Sequence, residues 1–419
     1  MALPKVLYIA RSDMGGGAEQ RLNLTAQHYP GTLAVYVKYN HHTWNKVKTL
    51  PVAFIDRIFA PFNHIYYKIT KGTRVNLRSR LFLTETCNQT WKHIKNLPEF
   101  WACDIVHISN LHTNYFDLSA LEKIAQHKPI VLNVSDLWMI TGGEAHSPGD
   151  DGFKSGIATT NDISLYPLSS PWIDRRQQMM EKKQKIFSRW KDRIFFMTNS
   201  DWTEQQFLSS WVMRFGPDYR TIKPGIDINL YINHKKRAWL KLRVLCFYSD
   251  SKFKNPALIQ TALSQVTQPI ELYVIGNPIS LPNQNIQTHY VGKYLSSPEL
   301  LSQQFNNVDV LLYPSIAETF GMMVAEAKSC GVCVIGTNGT AVEEQIQHRQ
   351  TGLLINQNDA QQLASEIDWC AKNIESVREI GNNAAEDIRL NYTFERYMKE
   401  TESYYQYIKQ KTVIQTISK

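Results

Sequence analysis

Short apolar runs alternate with amphipathic stretches along most of the chain. VLYIA (6–10), LAVYVKY (33–39), DIVHI (104–108), PIVLNVS (129–135) and RIFFMTN (193–199) are bounded by polar or turn residues. Apolar runs without strict alternation predict strands covered on both faces, as in a parallel sheet. Between them, QRLNLTAQHY (20–29), LSALEKIAQ (118–126) and WTEQQFLSSWV (202–212) have helical spacing, the last with Ser200-Asp201 as its N-cap. Residues 171–191 also read as a helix, with Trp172, Ile173, Met179, Met180, Ile186 and Phe187 as its inner face. The pattern restarts with LRVLCFYS (242–249), ELYVIGN (271–277), a short strand closed by Val291-Gly292, DVLLYPS (309–315) and CVIGT (333–337). Ser297 and Asp359 read as helix caps, and Glu344 as the opening of a helix. Strand–helix alternation predicts right-handed βαβ units. The expected organisation is α/β, with one unit over 1–227, a polar linker over 228–240 and a second unit over 241–395.

One stretch combines several signals. DVLLYPS is followed by the turn Glu318-Thr319-Phe320-Gly321 and then by MMVAEAKSCG, which has helical spacing and a stop at Gly331. Gly321 lets backbone approach a ligand, and the N–H groups of Phe320, Gly321 and Met322 at the helix start suit a phosphate. Glu318 and Glu326 flank the turn eight residues apart. The plain alternative is an ordinary strand–turn–helix with two wet carboxylates. A second strand–loop–helix, with Gly15, Gly16 and Gly17, follows the first strand. It fails the dinucleotide fingerprint, because Gln20 stands where the third glycine belongs and LAVYVKY ends without an acid. That disfavours a Rossmann oxidoreductase and leaves either a ligand loop or a structural turn.

At 419 residues with 43% hydrophobic content, the chain can bury two cores of ordinary size. A net charge of +8 suggests an anionic partner: a nucleotide diphosphate, an acidic lipid surface or nucleic acid. No nucleic-acid motif accompanies the charge. The segment 57–95 is basic and interleaved with aromatics, which suits an anionic membrane surface or a solvated face over a normal core. The six cysteines form no disulfide framework, and Cys330-Gly331-Val332-Cys333 lacks the second pair or histidines that zinc needs. No apolar run spans a bilayer and no signal-peptide layout opens the chain, so a cytoplasmic protein is expected. The polar stretch 144–170 is expected to be an acceptor-side lid without a metal or disulfide.

The Glu318–Glu326 stretch resembles the E-x7-E element of retaining glycosyltransferases of family 4, which have the GT-B fold. Within that group the chain is similar to exopolysaccharide enzymes of the colanic-acid type. The resemblance implies two Rossmann-like domains facing a cleft, with residues 396–419 returning to the first domain. It implies a metal-independent, retaining hexosyltransferase that needs no cofactor. Such an enzyme moves sugar from a nucleotide-diphosphate sugar to a glycan or lipid-linked glycan, at the inner face of the membrane. Glu318 would hold the sugar, Glu326 the ribose and Lys254 the diphosphate. Phe320, Gly321, Met322, Gly339 and Thr340 would line the donor, Gly276 and Tyr294 the base, and Asp136 the sugar side. The chain departs from the family at several positions. Ser135 stands where a His usually precedes the Asp, and Pro224 where Asn is usual. Cys333 replaces a turn proline, and the Arg expected before Lys254 is missing, with Lys252 as its stand-in. Thr351–Leu354 matches a short hairpin. Two other classes compete: a non-catalytic scaffold protein with a degenerate donor site, suggested by these departures, and a sugar-nucleotide epimerase.

Overall fold

The computed structural model describes residues 2–13, 16–41, 44–50, 58, 61–62, 80–81, 85, 89–112, 115–146, 149–159, 172–234, 239–295 and 297–417. Most of the basic segment 57–95 lies outside these residues, as do 147–148 and 160–170 of the stretch 144–170, Gly15 and Cys87. The chain forms two compact units, Met1–Ile222 with Met398–Lys419, and Lys223–Tyr397.

The first unit is built on a seven-stranded sheet. Its strands are β1 (Val6–Ser12), β2 (Thr32–Tyr39), β3 (Val47–Thr49), β4 (Ile105–Ile108), β5 (Ile130–Val134), β6 (Ile194–Thr198) and β7 (Asp218–Thr221). All neighbours pair in parallel, in the order β3-β2-β1-β4-β5-β6-β7. The apolar runs are covered on both faces, so β4, β5 and β6 are buried at every position. Helices α1 (Gly17–His28), α2 (Thr90–Ile94), α3 (Pro98–Ala102), α4 (Ala120–Ala125), α5 (Gly152–Ser155), α6 (Arg176–Arg189) and α7 (Asp201–Ser209) fill the connections. Ser200 caps α7 through Thr203 N–H. The helix expected over 171–191 begins only at Arg176. Its buried stripe is Met179, Met180, Ile186 and Phe187, whereas Trp172 and Ile173 precede it and are exposed. Asp174, paired with Arg176, marks the point where the backbone turns into the helix.

The second unit has a six-stranded parallel sheet, ordered β10-β9-β8-β11-β12-β13. Its strands are β8 (Leu242–Tyr248), β9 (Ile270–Gly276), β10 (Ile286–Gly292), β11 (Val310–Tyr313), β12 (Cys333–Thr337) and β13 (Leu353–Ile355). Helices α8 (Pro256–Gln265), α9 (Pro298–Asn306), α10 (Met322–Ser329), α11 (Ala360–Lys372) and α12 (Ile374–Asn391) cover it. Ser297 caps α9 and Asp359 caps α11. Two local expectations are corrected. Glu344 lies within a single 3-10 turn, Glu343–Gln345, too short to be a helix. Residues 351–354 are a turn into β13, which pairs in parallel with β12, so no hairpin forms.

The last helix, α13 (Phe394–Ile417), begins in the second unit, and from Met398 it belongs to the first. There Tyr404 and Tyr405 are fully buried, while Tyr407 is 37% exposed and faces outward. Tyr404 OH donates to Phe196 O at 2.9 Å, and Tyr405 OH meets His107 Nδ1 at 2.5 Å. Burial pulls the His107 imidazole down to about 3, against its hydrogen bond to Asn133, so it is neutral packing and no titrating site. Every described cysteine is buried and unbridged. No helix among the described residues is long and apolar enough to cross a membrane.

Candidate functional site

In an open parallel sheet, ligands bind beyond the strand C-termini where connections diverge to either side. In the second sheet that point lies between the neighbours β8 and β11. The loop after β8 ends in the 3-10 turn Lys252–Lys254, and the loop after β11 carries Glu318. Two hydrogen bonds onto Phe253 O, from Ile316 N at 3.0 Å and Ser315 Oγ at 2.8 Å, stitch these loops together. Lys254 Nζ consequently reaches Glu318 Oε1 and also donates to Tyr313 OH at 2.7 Å. Tyr313 OH donates to the same Glu318 oxygen at 2.6 Å. The Lys254 ammonium lies 4.6 Å from the centre of the Tyr313 ring. Burial alone pulls the Lys254 ammonium down, but Tyr313 and Glu318 outweigh it and hold it above the usual lysine range. Burial and the Glu318 charge raise the Tyr313 phenol, so it stays protonated.

The remaining donor-side positions lie around this group. Gly321, with φ +84°, turns the chain into α10, whose start has no side-chain cap. Ala341 N donates to Glu318 O at 3.1 Å, tying the turn after β12 to the same loop. In that turn Gly339 has φ +79°, and its N–H donates to Glu343 Oε2 at 2.7 Å. Thr340 is buried and folds back on Thr337 O. Phe320 is buried against Tyr392, so its ring is core and only its backbone faces the turn. Met322 is partly buried in the same core. Glu326, inside α10, is buried, and burial pushes its carboxyl up to about 7 against a hydrogen bond with Tyr231. Gly276 closes β9 at φ +112°, where a Cβ would come within 2.1 Å of Tyr248 O. Lys252 and Tyr294 are exposed, Tyr294 at 76%.

The first sheet has its own divergence point, between β1 and β4. Asp136, just past β5, accepts from Trp138 N at 2.9 Å and so caps the 3-10 turn Leu137–Met139. Its other oxygen meets His112 Nε2 at 2.7 Å. Burial lowers the His112 imidazole, but Asp136 outweighs this and raises it, while His112 in turn lowers Asp136. Arg21, from α1, donates to Ser135 Oγ at 3.0 Å. Gly16 precedes α1 and is exposed, and Gly17 is its first residue. The loop that follows Asp136 is anchored on α6, with Lys183 bonded to Trp138 O and Thr141 O and Arg176 paired with Glu144.

Sequence reasoning assigned no role to Tyr313 or His112. The His112 contact follows from strand register, which no local run of residues reports. Ile108 pairs with Leu132, and His112 and Asp136 each lie four residues further on, at adjacent strand ends.

Residues 234–387 match the sequence profile of the family Glycosyl transferases group 1. The putative colanic acid biosynthesis glycosyl transferase WcaC of Escherichia coli K12 is 24% identical over 275 residues, covering 62% of this chain and 65% of WcaC. N-acetyl-alpha-D-glucosaminyl L-malate synthase of Bacillus anthracis is 32% identical over 116 residues, covering 28% of this chain and 29% of that one. The chain thus spans less than two thirds of the length of either curated relative. Among solved structures, Anabaena Alr3699/HepE in complex with UDP and glucose has a TM-score of 0.60 at 16% identity, over 96% of this chain and 98% of that one. Sucrose-phosphate synthase from Thermosynechococcus elongatus has a TM-score of 0.62 at 14% identity, over 96% and 99%. At these identities the likeness is one of fold, and that fold is GT-B.

Proposed function

We propose that this chain, which carries a glycosyl transferases group 1 domain over residues 234–387, is a sugar transferase. It moves a hexosyl group from a nucleoside-diphosphate sugar to a hydroxyl of a glycan or lipid-linked glycan in polysaccharide biosynthesis. The observation that carries this reading is the Lys254–Tyr313–Glu318 group beside the Gly321 turn at the divergence point of the second sheet. It presents a cation, a carboxylate and backbone N–H groups on one strand edge, which suits a diphosphate bearing a sugar. The UDP and glucose in the HepE structure and the polysaccharide role in the name of WcaC support the choice of substrate.

In this reading the bond between the anomeric carbon and the diphosphate oxygen breaks, and its electron pair leaves on the diphosphate. Lys254 and the N–H groups of Phe320, Gly321 and Met322 stabilise that charge, joined by the Gly339 N–H once it leaves Glu343 Oε2. The acceptor oxygen attacks from the face the diphosphate leaves, which retains configuration without a protein nucleophile, and its proton passes to the departing phosphate oxygen. Glu318 supports the positive charge that develops on the sugar. Glu326 accepts hydrogen bonds from the ribose once it is ionised, and no metal takes part. In the same reading the basic, aromatic composition of 57–95 suits a peripheral position on the cytoplasmic face of a membrane, near a lipid-linked acceptor.

A scaffold role with a degenerate donor site is the second reading. It is favoured by Ser135, by the missing arginine before Lys254 and by Glu343, which occupies the Gly339 N–H. Calorimetric titration of nucleoside diphosphates and their sugars into wild type and Glu326→Ala separates the two readings. Binding by wild type that Glu326→Ala loses supports the transferase. A wild type that binds none of them supports the scaffold.

A further inference from the structure

Tyr313 is the last residue of β11, and its side chain lies under the group just described. Its hydroxyl accepts from Lys254 Nζ at 2.7 Å and donates to Glu318 Oε1 at 2.6 Å, while Lys254 bonds directly to that same oxygen. The three groups close a ring of hydrogen bonds. Lys254 and Glu318 lie on loops that leave the sheet in different directions, and a long lysine and a glutamate both have ample rotamer freedom. Tyr313 has little. Its backbone is fixed in the centre of a parallel sheet, its ring is buried within the core cluster around Leu311 and Val334, and only 6% of it is exposed. An aromatic side chain held by two torsions in a packed core is the rigid member of the ring, and the charged pair is the mobile one.

We infer that Tyr313 is a positioning residue for the donor sugar, fixing the Glu318 carboxylate and the Lys254 ammonium at the spacing that a sugar diphosphate requires. This rests on the transferase reading above. The hydroxyl acts on both partners at once. Donating to Oε1 restricts the carboxylate, and with it the direction in which Glu318 faces a sugar hydroxyl. Accepting from Nζ orients the ammonium, so that its remaining N–H is directed and not averaged over rotamers. Cation–π attraction from the ring adds to this hold. Preorganisation of this kind shows up as coupling between residues, since removing the hydroxyl and removing the carboxylate charge disable one shared arrangement.

The test is a double-mutant cycle read in binding, with UDP and UDP-glucose as probes. Wild type, Tyr313→Phe, Glu318→Gln and the double variant are each titrated with both compounds. The readout is the ratio of UDP-glucose affinity to UDP affinity, which isolates what the sugar adds. Tyr313→Phe is expected to lower that ratio about tenfold while changing UDP affinity less than threefold, and the double variant to be no worse than Glu318→Gln alone. Tyr313→Phe with an unchanged ratio, or losses that multiply in the double variant, overturns the positioning role. An equal fall for both probes, with a lower melting temperature, assigns Tyr313 to packing alone and overturns it too. A wild type that binds neither these two compounds nor any other nucleoside diphosphate or its sugar in the titrations above overturns the transferase reading itself, and this inference with it.

Discussion

Glu326 is a carboxylate stored in the wrong medium. Burial raises it from 4.5 to about 7, so the folded protein holds a proton there that the unfolded chain has already released. Its contribution to stability therefore falls as pH rises from about 4.5 to about 7 and stays unfavourable above that, by up to about 3 kcal/mol. Glu326→Gln should melt higher than wild type at pH 8 and at nearly the same temperature at pH 4.5, as measured by calorimetric scans. A difference independent of pH would show that the carboxyl is solvated. The His112–Asp136 pair works the other way. His112 is raised, so its stabilisation is lost as pH rises through its folded value, and Asp136 is lowered, so its share is lost as pH falls through its own. Asp136→Asn should cost about 2 kcal/mol between those limits and less at alkaline pH, by denaturant titration. At this scale the sequence was partly legible. Lys254, Glu318 and Asp136 were visible because each stands in a recognisable run. Tyr313 and His112 acquire meaning only through partners brought in from other strand ends, and no local pattern announces those contacts.

Among the elements, strands were read most securely, because a run covered on both faces by helices leaves a continuous apolar signature. The misreadings lie where side chains are partly exposed. Trp172 and Ile173 looked like the start of an inner face, but the helix waits for Arg176, whose buried guanidinium pairs with Asp174 and Glu144. The turn at 343–345 carries helix-forming residues, yet Gln345 spends its side chain on Phe320 O and the chain then turns toward β13. That contact helps fix the Gly321 turn from behind. Gly321→Ala would force a Cβ to 3.2 Å from Val342 Cγ2 at a φ of +84°. It should cost about 1–2 kcal/mol and weaken nucleotide binding. Chemical denaturation reads the first effect and titration with UDP the second. A fully stable Gly321→Ala would mean that the turn can change its conformation.

For the whole molecule, two α/β units followed from the pattern restarting at residue 242, since βα repetition survives without any recognisable motif. The membership of the tail was legible only through resemblance, because its tyrosines announce a buried face without saying whose. Residues 398–417 pack into the first unit through Tyr404 and Tyr405, which bond to Phe196 O and His107. A chain ending at Tyr397 should lose melting temperature in the first unit and keep it in the second. Hydrogen exchange resolved along the chain would separate the two, and equal loss in both would contradict the packing described. In the proposed function the strand edge holding Lys254 and Glu318 binds a nucleoside-diphosphate sugar. Calorimetric titration of UDP-glucose into wild type and Lys254→Met decides whether it does. Saturable one-to-one binding by wild type and at least a tenfold loss in the variant are expected, because the diphosphate loses its half-buried cation. Equal affinity in the two proteins would mean that no diphosphate sits against Lys254.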